Sequence, residues 1–237
     1  MSGNGAKPRV AVVTFPGSND DRDAAHALEL LGAEAVPVWH GDDDLPEVGA
    51  VVLPGGFSYG DYLRAGALAR FAPVMGAVRS FADAGGLVLG ICNGFQILCE
   101  AGLLPGVLRP NRSLSFVCRE VVVAVERPDT PFTSRCEAGE TLTIPVKHGE
   151  GCFFADETML AALDASGQVA LRYVAESPNG SVARIAGVVN ERGNVLGLMP
   201  HPEHAVDALT GSTDGALILG SLVDSVRDGS AVTAAAT

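Results

Sequence analysis

Residues 9–15 (RVAVVTF) are apolar at nearly every position and run into a Gly-Ser-Asn-Asp turn. A short apolar run bounded by turn residues predicts a buried strand. Ala24, Ala27, Leu28 and Leu31 then recur at helical spacing, with Asn19 or Asp20 placed to cap the helix and Gly32 to stop it. The alternation continues. Residues 34–39 and 50–53 read as strands, the second ending in Pro54-Gly55-Gly56. Phe71, Val74, Val78 and Phe81 predict one face of a helical stretch that Pro73 starts or kinks. Residues 87–91 are a further apolar strand, and residues 95–104 a helix directly after it. Strands and helices alternating in short units predict a parallel sheet with helices on both faces.

The pattern changes after residue 104. Residues 115–125, 141–146, 168–174 and 182–190 read as strands. Residues 191–194 (ERGN) predict a hairpin turn into a strand over 195–199. A last helix is expected from about 213 to 226. The expectation is one α/β domain over residues 9–228, mostly parallel at first and richer in antiparallel pairing later. Residues 1–8 and 229–237 are expected to be a loose and a frayed tail.

Composition narrows the possibilities. The formal net charge of −12 argues against a nucleic-acid partner, which needs a basic face. The acidic run Asp42–Asp44 is expected to be a solvated loop. No apolar run reaches the roughly 20 residues that span a bilayer, and the polar start lacks the apolar core of a signal peptide. No membrane partner and a cytoplasmic location are therefore expected. Five cysteines without a C-x-x-C pair suggest neither a disulfide framework nor a metal site.

The sharpest chemical feature is Gly90-Ile91-Cys92-Asn93-Gly94, between an apolar strand and an apolar-faced helix. This is the G-x-nucleophile-x-G elbow with cysteine as nucleophile. Such a turn strains the central residue and needs glycines where side chains would collide. Cys92 would stand at a helix N-terminus, whose positive end favours thiolate over thiol. The Asn93 N–H would point to where an oxyanion forms. A nucleophilic cysteine needs a base, and the base an orienting group. His201, in Met199-Pro200-His201-Pro202-Glu203, follows an apolar strand; in an extended, Pro-flanked chain Glu203 would lie beside it. His148, in KHGEG (147–151), is the competing base, with a substrate-loop or interface role the stronger expectation for it. His26 reads as a helix-surface residue and His40 as a strand end. Gly55 and Gly56 offer a second backbone N–H without side-chain obstruction.

Taken together, the Gly-Gly loop, the G-x-C-x-G elbow and the late H-P-E resemble the class I (triad) glutamine amidotransferases. The segments PGSND (16–20), LPGGFSYGDYLRAGALARF (53–71), GICNGFQIL (90–98), IPVKHGEG (144–151) and AGVVNERGNVLGLMPHPEHAVD (186–207) resemble the glutaminase subunits of phosphoribosylformylglycinamidine synthases. The resemblance implies a flavodoxin-like sheet with an added antiparallel portion, and hydrolysis of glutamine to glutamate and ammonia. It implies Cys92 as nucleophile, His201 as base, Glu203 as its orienter, and Gly56 (or Gly55) with Asn93 as the oxyanion hole. It also implies a large synthetase subunit, holding ATP and Mg, that uses the ammonia to make the amidine in purine biosynthesis, and a small bridging subunit. No cofactor is implied in this chain, which has no G-x-x-x-x-G-K-[ST] loop. Two departures stand out: Asp20 where the family often has Cys, and His204 where it usually has Arg. The rival readings are another cysteine amidase or peptidase on a similar fold, and a non-catalytic regulatory module.

Overall fold

Apolar strands flanked by one-sided helices leave one packing open: strands side by side in the middle and helices over both faces. The computed structural model of the chain, which describes residues 6–229, has that packing. The first half comprises β1 (Arg9–Thr14), α1 (Asp21–Leu30), β2 (Glu34–Trp39), β3 (Ala50–Leu53), α2 (Val74–Asp83), β4 (Leu87–Ile91) and α3 (Asn93–Glu100). Then come β5 (Val107–Arg109), β6 (Val117–Val125), β7 (Thr141–His148), β8 (Cys152–Phe154), α4 (Glu157–Ala165), β9 (Val169–Tyr173), β10 (Ile185–Val189), β11 (Val195–Leu198) and α5 (Gly215–Arg227).

One sheet has the strand order β2-β1-β3-β4-β11-β10-β9-β6-β7, while β5 and β8 pair separately. From β2 to β11 every pairing is parallel. From β11 to β7 every pairing is antiparallel. The chain steps outward from β1 to β2 and then back past β1 to β3. Right-handed crossovers in opposite directions place α1 and α2 on opposite faces. β3, β4, β10 and β11 are buried at every position, as continuous apolar runs covered on both sides must be. The carboxyl ends of β1, β3, β4 and β11 come out along one edge, where open α/β sheets bind ligands.

Several expectations change. Phe71 is not on the α2 face: it is 71% exposed, in a 3-10 turn over Ala69–Phe71. Pro73 caps α2 and separates the two segments, so the spacing across it has no structural meaning. Val74, Met75, Val78 and Ala82 form the buried face instead. α3 stops at Glu100 because Gly102 turns left-handed (φ +69°) and the Leu103 N–H closes on the Leu98 carbonyl. Residues 182–184 are a 3-10 turn before β10. Asp20 sits at the N-cap of α1, yet its side chain makes no capping hydrogen bond. Pro8, assigned to the loose tail, is buried, and its carbonyl accepts from the Glu34 N–H (2.8 Å). Residues 1–5 and 230–237 of the predicted tails lie outside the described residues.

Candidate active site

The turn between β4 and α3 is as tight as its glycines suggest. Cys92 has φ 49° and ψ −100°, a conformation that L-residues avoid and that persists only where packing enforces it. The enforcement is close contact with β3. A Cβ on Gly94 would drive into the Leu53 carbonyl oxygen, and one on Gly90 would come within 2.7 Å of the Gly94 backbone. Cys92 is 4% exposed, and its Sγ lies 3.7 Å from the Lys147 carbonyl at the end of β7.

His201 follows β11, which is parallel to β4 in register Leu198↔Ile91. The ring therefore arrives beside the elbow. His201 Nδ1 bonds Glu203 Oε1 at 2.6 Å, with both residues buried. The extended geometry expected for this pair is not what joins them. Pro202 opens a 3-10 turn over Pro202–His204, and that turn folds the Glu203 carboxylate back onto the ring. His201 Nε2 is buried without a hydrogen-bond partner among the described residues. A buried ring nitrogen left open beside a thiol is the arrangement a proton shuttle needs. Burial alone would lower the imidazole pKa. The Glu203 charge and the neighbouring Cys92 outweigh it and raise the pKa above the ordinary histidine value.

Sequence reasoning did not place Asp20 and Lys147 in this site; it gave Asp20 as a helix-cap candidate and, with His204, as a departure from the family pattern. Asp20 is 2% exposed, and its Oδ2 lies 3.6 Å from His201 Nδ1. Its Oδ1 takes the Lys147 ammonium and lies 3.3 Å from His204 Nε2. Burial would raise the Asp20 pKa, but the His204 hydrogen bond and the His201 and Lys147 charges hold it well below the usual carboxylate range. Lys147 thus supplies Asp20 with a positive partner from the chain itself. Gly55 makes room: a Cβ there would collide with Asp20 Oδ2 and come within 2.7 Å of His201 Cε1. The sequence signals for Asp20 were its place at the start of α1 and its departure from the family pattern. No local pattern connects it to position 201.

For the expected oxyanion hole, neither the Gly56 nor the Asn93 N–H donates to a backbone acceptor among the described residues. The Asn93 side chain is engaged at both ends: Oδ1 accepts from the Ser58 N–H (3.1 Å) and Nδ2 donates to Gln96 Oε1 (2.8 Å). Gln96 Nε2 in turn donates to the Glu150 carbonyl (2.6 Å). His148 is buried but held elsewhere, between Asn111 and Asn179. A cavity of about 800 Å³, lined in part by Arg112, Arg172 and Arg184, has neither Cys92, His201 nor Glu203 in its lining.

The sequence profile of the CobB/CobQ-like glutamine amidotransferase domain matches residues 7–216. The chain belongs to that family.

Among curated relatives, the amidotransferase is 62% identical to the phosphoribosylformylglycinamidine synthase subunit PurQ of Rubrobacter xylanophilus, over 91% of this chain and 97% of that one. It is 58% identical to PurQ of Rhodococcus jostii, over 92% and 97%. Among solved structures it resembles a chain of PurLQS from Thermotoga maritima, with TM-score 0.85 and 49% identity over 92% of this chain and 98% of that one. A putative GMP synthase component from Thermoplasma acidophilum shares the fold at TM-score 0.65 and 15% identity, covering 96% and 99%. The amidotransferase thus carries the α/β fold with its antiparallel portion in the second half.

Proposed function

We propose that the amidotransferase is the glutaminase subunit of a phosphoribosylformylglycinamidine synthase, with Cys92, His201 and Glu203 as its triad. The observation that carries the triad is a buried His201 whose Nδ1 is bonded to Glu203 and whose Nε2 is left open beside the strained Cys92. The relatives' names carry the choice of synthase.

In this reading the Cys92 thiolate attacks the side-chain amide carbon of glutamine and forms a C–S bond. The N–H groups of Asn93 and Gly56 (or Gly55) receive the oxyanion, in a site where fixed dipoles act at full strength. His201, as imidazolium, gives its Nε2 proton to the leaving nitrogen as the C–N bond breaks and ammonia departs. The neutral ring then takes a proton from water, which attacks the thioester and frees glutamate and the thiolate. Glu203 fixes the ring orientation and stabilises the imidazolium throughout. The ammonia passes to a large synthetase subunit, expected to hold ATP and Mg, which converts formylglycinamide ribonucleotide to the amidine. A small bridging subunit completes the complex, in line with the three-part name of the similar Thermotoga maritima structure. The reading carries a cytoplasmic location. No helix among the described residues is long and apolar enough to cross a membrane.

Cys92→Ala tests the reading in the complex with its synthetase subunits. Glutamine-dependent synthesis should be lost while synthesis from added ammonia is kept. Loss of both would assign Cys92 a structural role and remove the triad.

A further inference from the structure

The base has two carboxylates on one edge, and the proposed triad uses only one. Glu203 Oε1 bonds His201 Nδ1 at 2.6 Å, and Asp20 Oδ2 stands 3.6 Å from the same nitrogen. All three groups are nearly inaccessible to water. A carboxylate does not reach such a place without compensation. Here the compensation is built in: the Lys147 ammonium and His204 Nε2 both meet Asp20 Oδ1. Asp20 also stands at the start of α1, where its side chain has an unused capping option. The carboxylate is turned away from the helix and toward His201. Gly55, bare of a side chain, leaves the gap through which the two meet.

We infer that Asp20 is a positioning residue for His201, pairing with Glu203 to clamp the Nδ1 edge of the ring, and that His204 and Lys147 hold Asp20 in that role. The inference rests on His201 serving as the base. It joins the two positions at which the chain departs from the family pattern: they lie far apart in sequence and 3.3 Å apart in space. Glu203 Oε2 is buried without a partner, so Glu203 grips the ring through one oxygen. Asp20, 3.6 Å from Nδ1, supplies a second anchor at the same edge of the ring.

The groups facing His201 are Glu203 and His204 from the turn after β11, Cys92 from the start of α3, Lys147 and His148 from β7, and Asp20 from the loop after β1. His148 is held neutral by burial, its pKa pushed down to about 4. Without the Asp20 charge, the Lys147 ammonium that now meets it would be left uncompensated near the ring, and both changes disfavour the imidazolium.

The test is Asp20→Asn in the full chain, read by NMR titration of ¹³C-labelled histidine rings. The His201 midpoint should fall by about one pH unit or more. Labelling of Cys92 by a glutamine-like diazo-ketone at pH 8 should slow by roughly tenfold. His204→Gln should shift the midpoint the same way by less. The double variant should match Asp20→Asn alone, because His204 acts through Asp20. An unchanged midpoint in Asp20→Asn, or, should that variant not fold, in His204→Gln, would overturn the inference. So would additive effects of the two substitutions. The titration is read without glutaminase activity, so its failure is distinct from failure of wild-type Cys92 to react with the diazo-ketone, which would count against the glutaminase reading itself.

Discussion

His148 and His201 are both buried histidines near the sheet edge, and their partners separate them. His148 Nδ1 meets Asn111 Oδ1 at 3.1 Å, and Nε2 meets the Asn179 side-chain amide at 3.4 Å. A ring that donates through one nitrogen and accepts through the other is neutral and has no free valence for catalysis. His201 has one nitrogen bonded to a carboxylate and the other open. His201→Asn should therefore lower glutamine-dependent synthesis by about 10³-fold. His148→Asn should cost less than about tenfold in the same assay, since it removes no proton-transfer group. The reverse ranking would exchange their roles. The nucleophile and this choice of base were legible from the local strings GICNG and HPE. Asp20 and Lys147 were not, because their meaning lies in contacts across more than a hundred residues.

At the scale of elements, the β4–α3 elbow is the least tolerant part of the fold. Gly94→Ala places a methyl against the β3 backbone, which has no side-chain rotamer to give way. We expect a loss of at least about 2 kcal/mol in chemical denaturation. Gly102→Ala, with nothing within 4 Å of the added carbon, should cost less despite its positive φ. An equal loss at both positions would count against close packing as the reason for the elbow glycines. The parallel strands were legible because burial on both faces makes them continuously apolar. α4 was not, because Leu163 is its one buried residue and no apolar stripe forms. Its Asp156 cap, which accepts from the Met159 N–H at 2.8 Å, was the available signal. β5 and β8 are three residues each, too short for a period to show.

Across the whole molecule, buried His148 and half-buried Asp61 work against each other in mild acid. Burial pushes the His148 pKa down to about 4, so the stability it contributes above its ordinary value is lost as the pH falls from about 6.5 to about 4. Burial, with the nearby Glu150 charge, pushes the Asp61 pKa up to about 6. The folded state then binds that proton more readily, and Asp61 adds stability as the pH falls over nearly the same range. Asp61→Asn should make stability fall more steeply between pH 6 and pH 4. His148→Asn should make it fall less or rise. Urea denaturation at stepped pH reads both slopes, and slopes parallel to wild type would refute the opposition. The overall class was legible from the alternation of elements. The insertion of β11 between β4 and β10 was not, because hairpin signals identify a partner strand and not a place in the sheet.

That insertion bears on how the protein is made. The elbow and its cysteine leave the ribosome well before β11, and β11 has to enter the middle of the sheet, not its edge. Until it does, the thiol has no base and the base no carboxylates, so a growing or half-folded chain carries a cysteine without its catalytic partners. Non-local pairing of this kind forms late in folding. Chemical competence at Cys92 therefore reports that β11 has docked beside β4, and chains that have not reached that point are spared an unshielded hydrolytic centre.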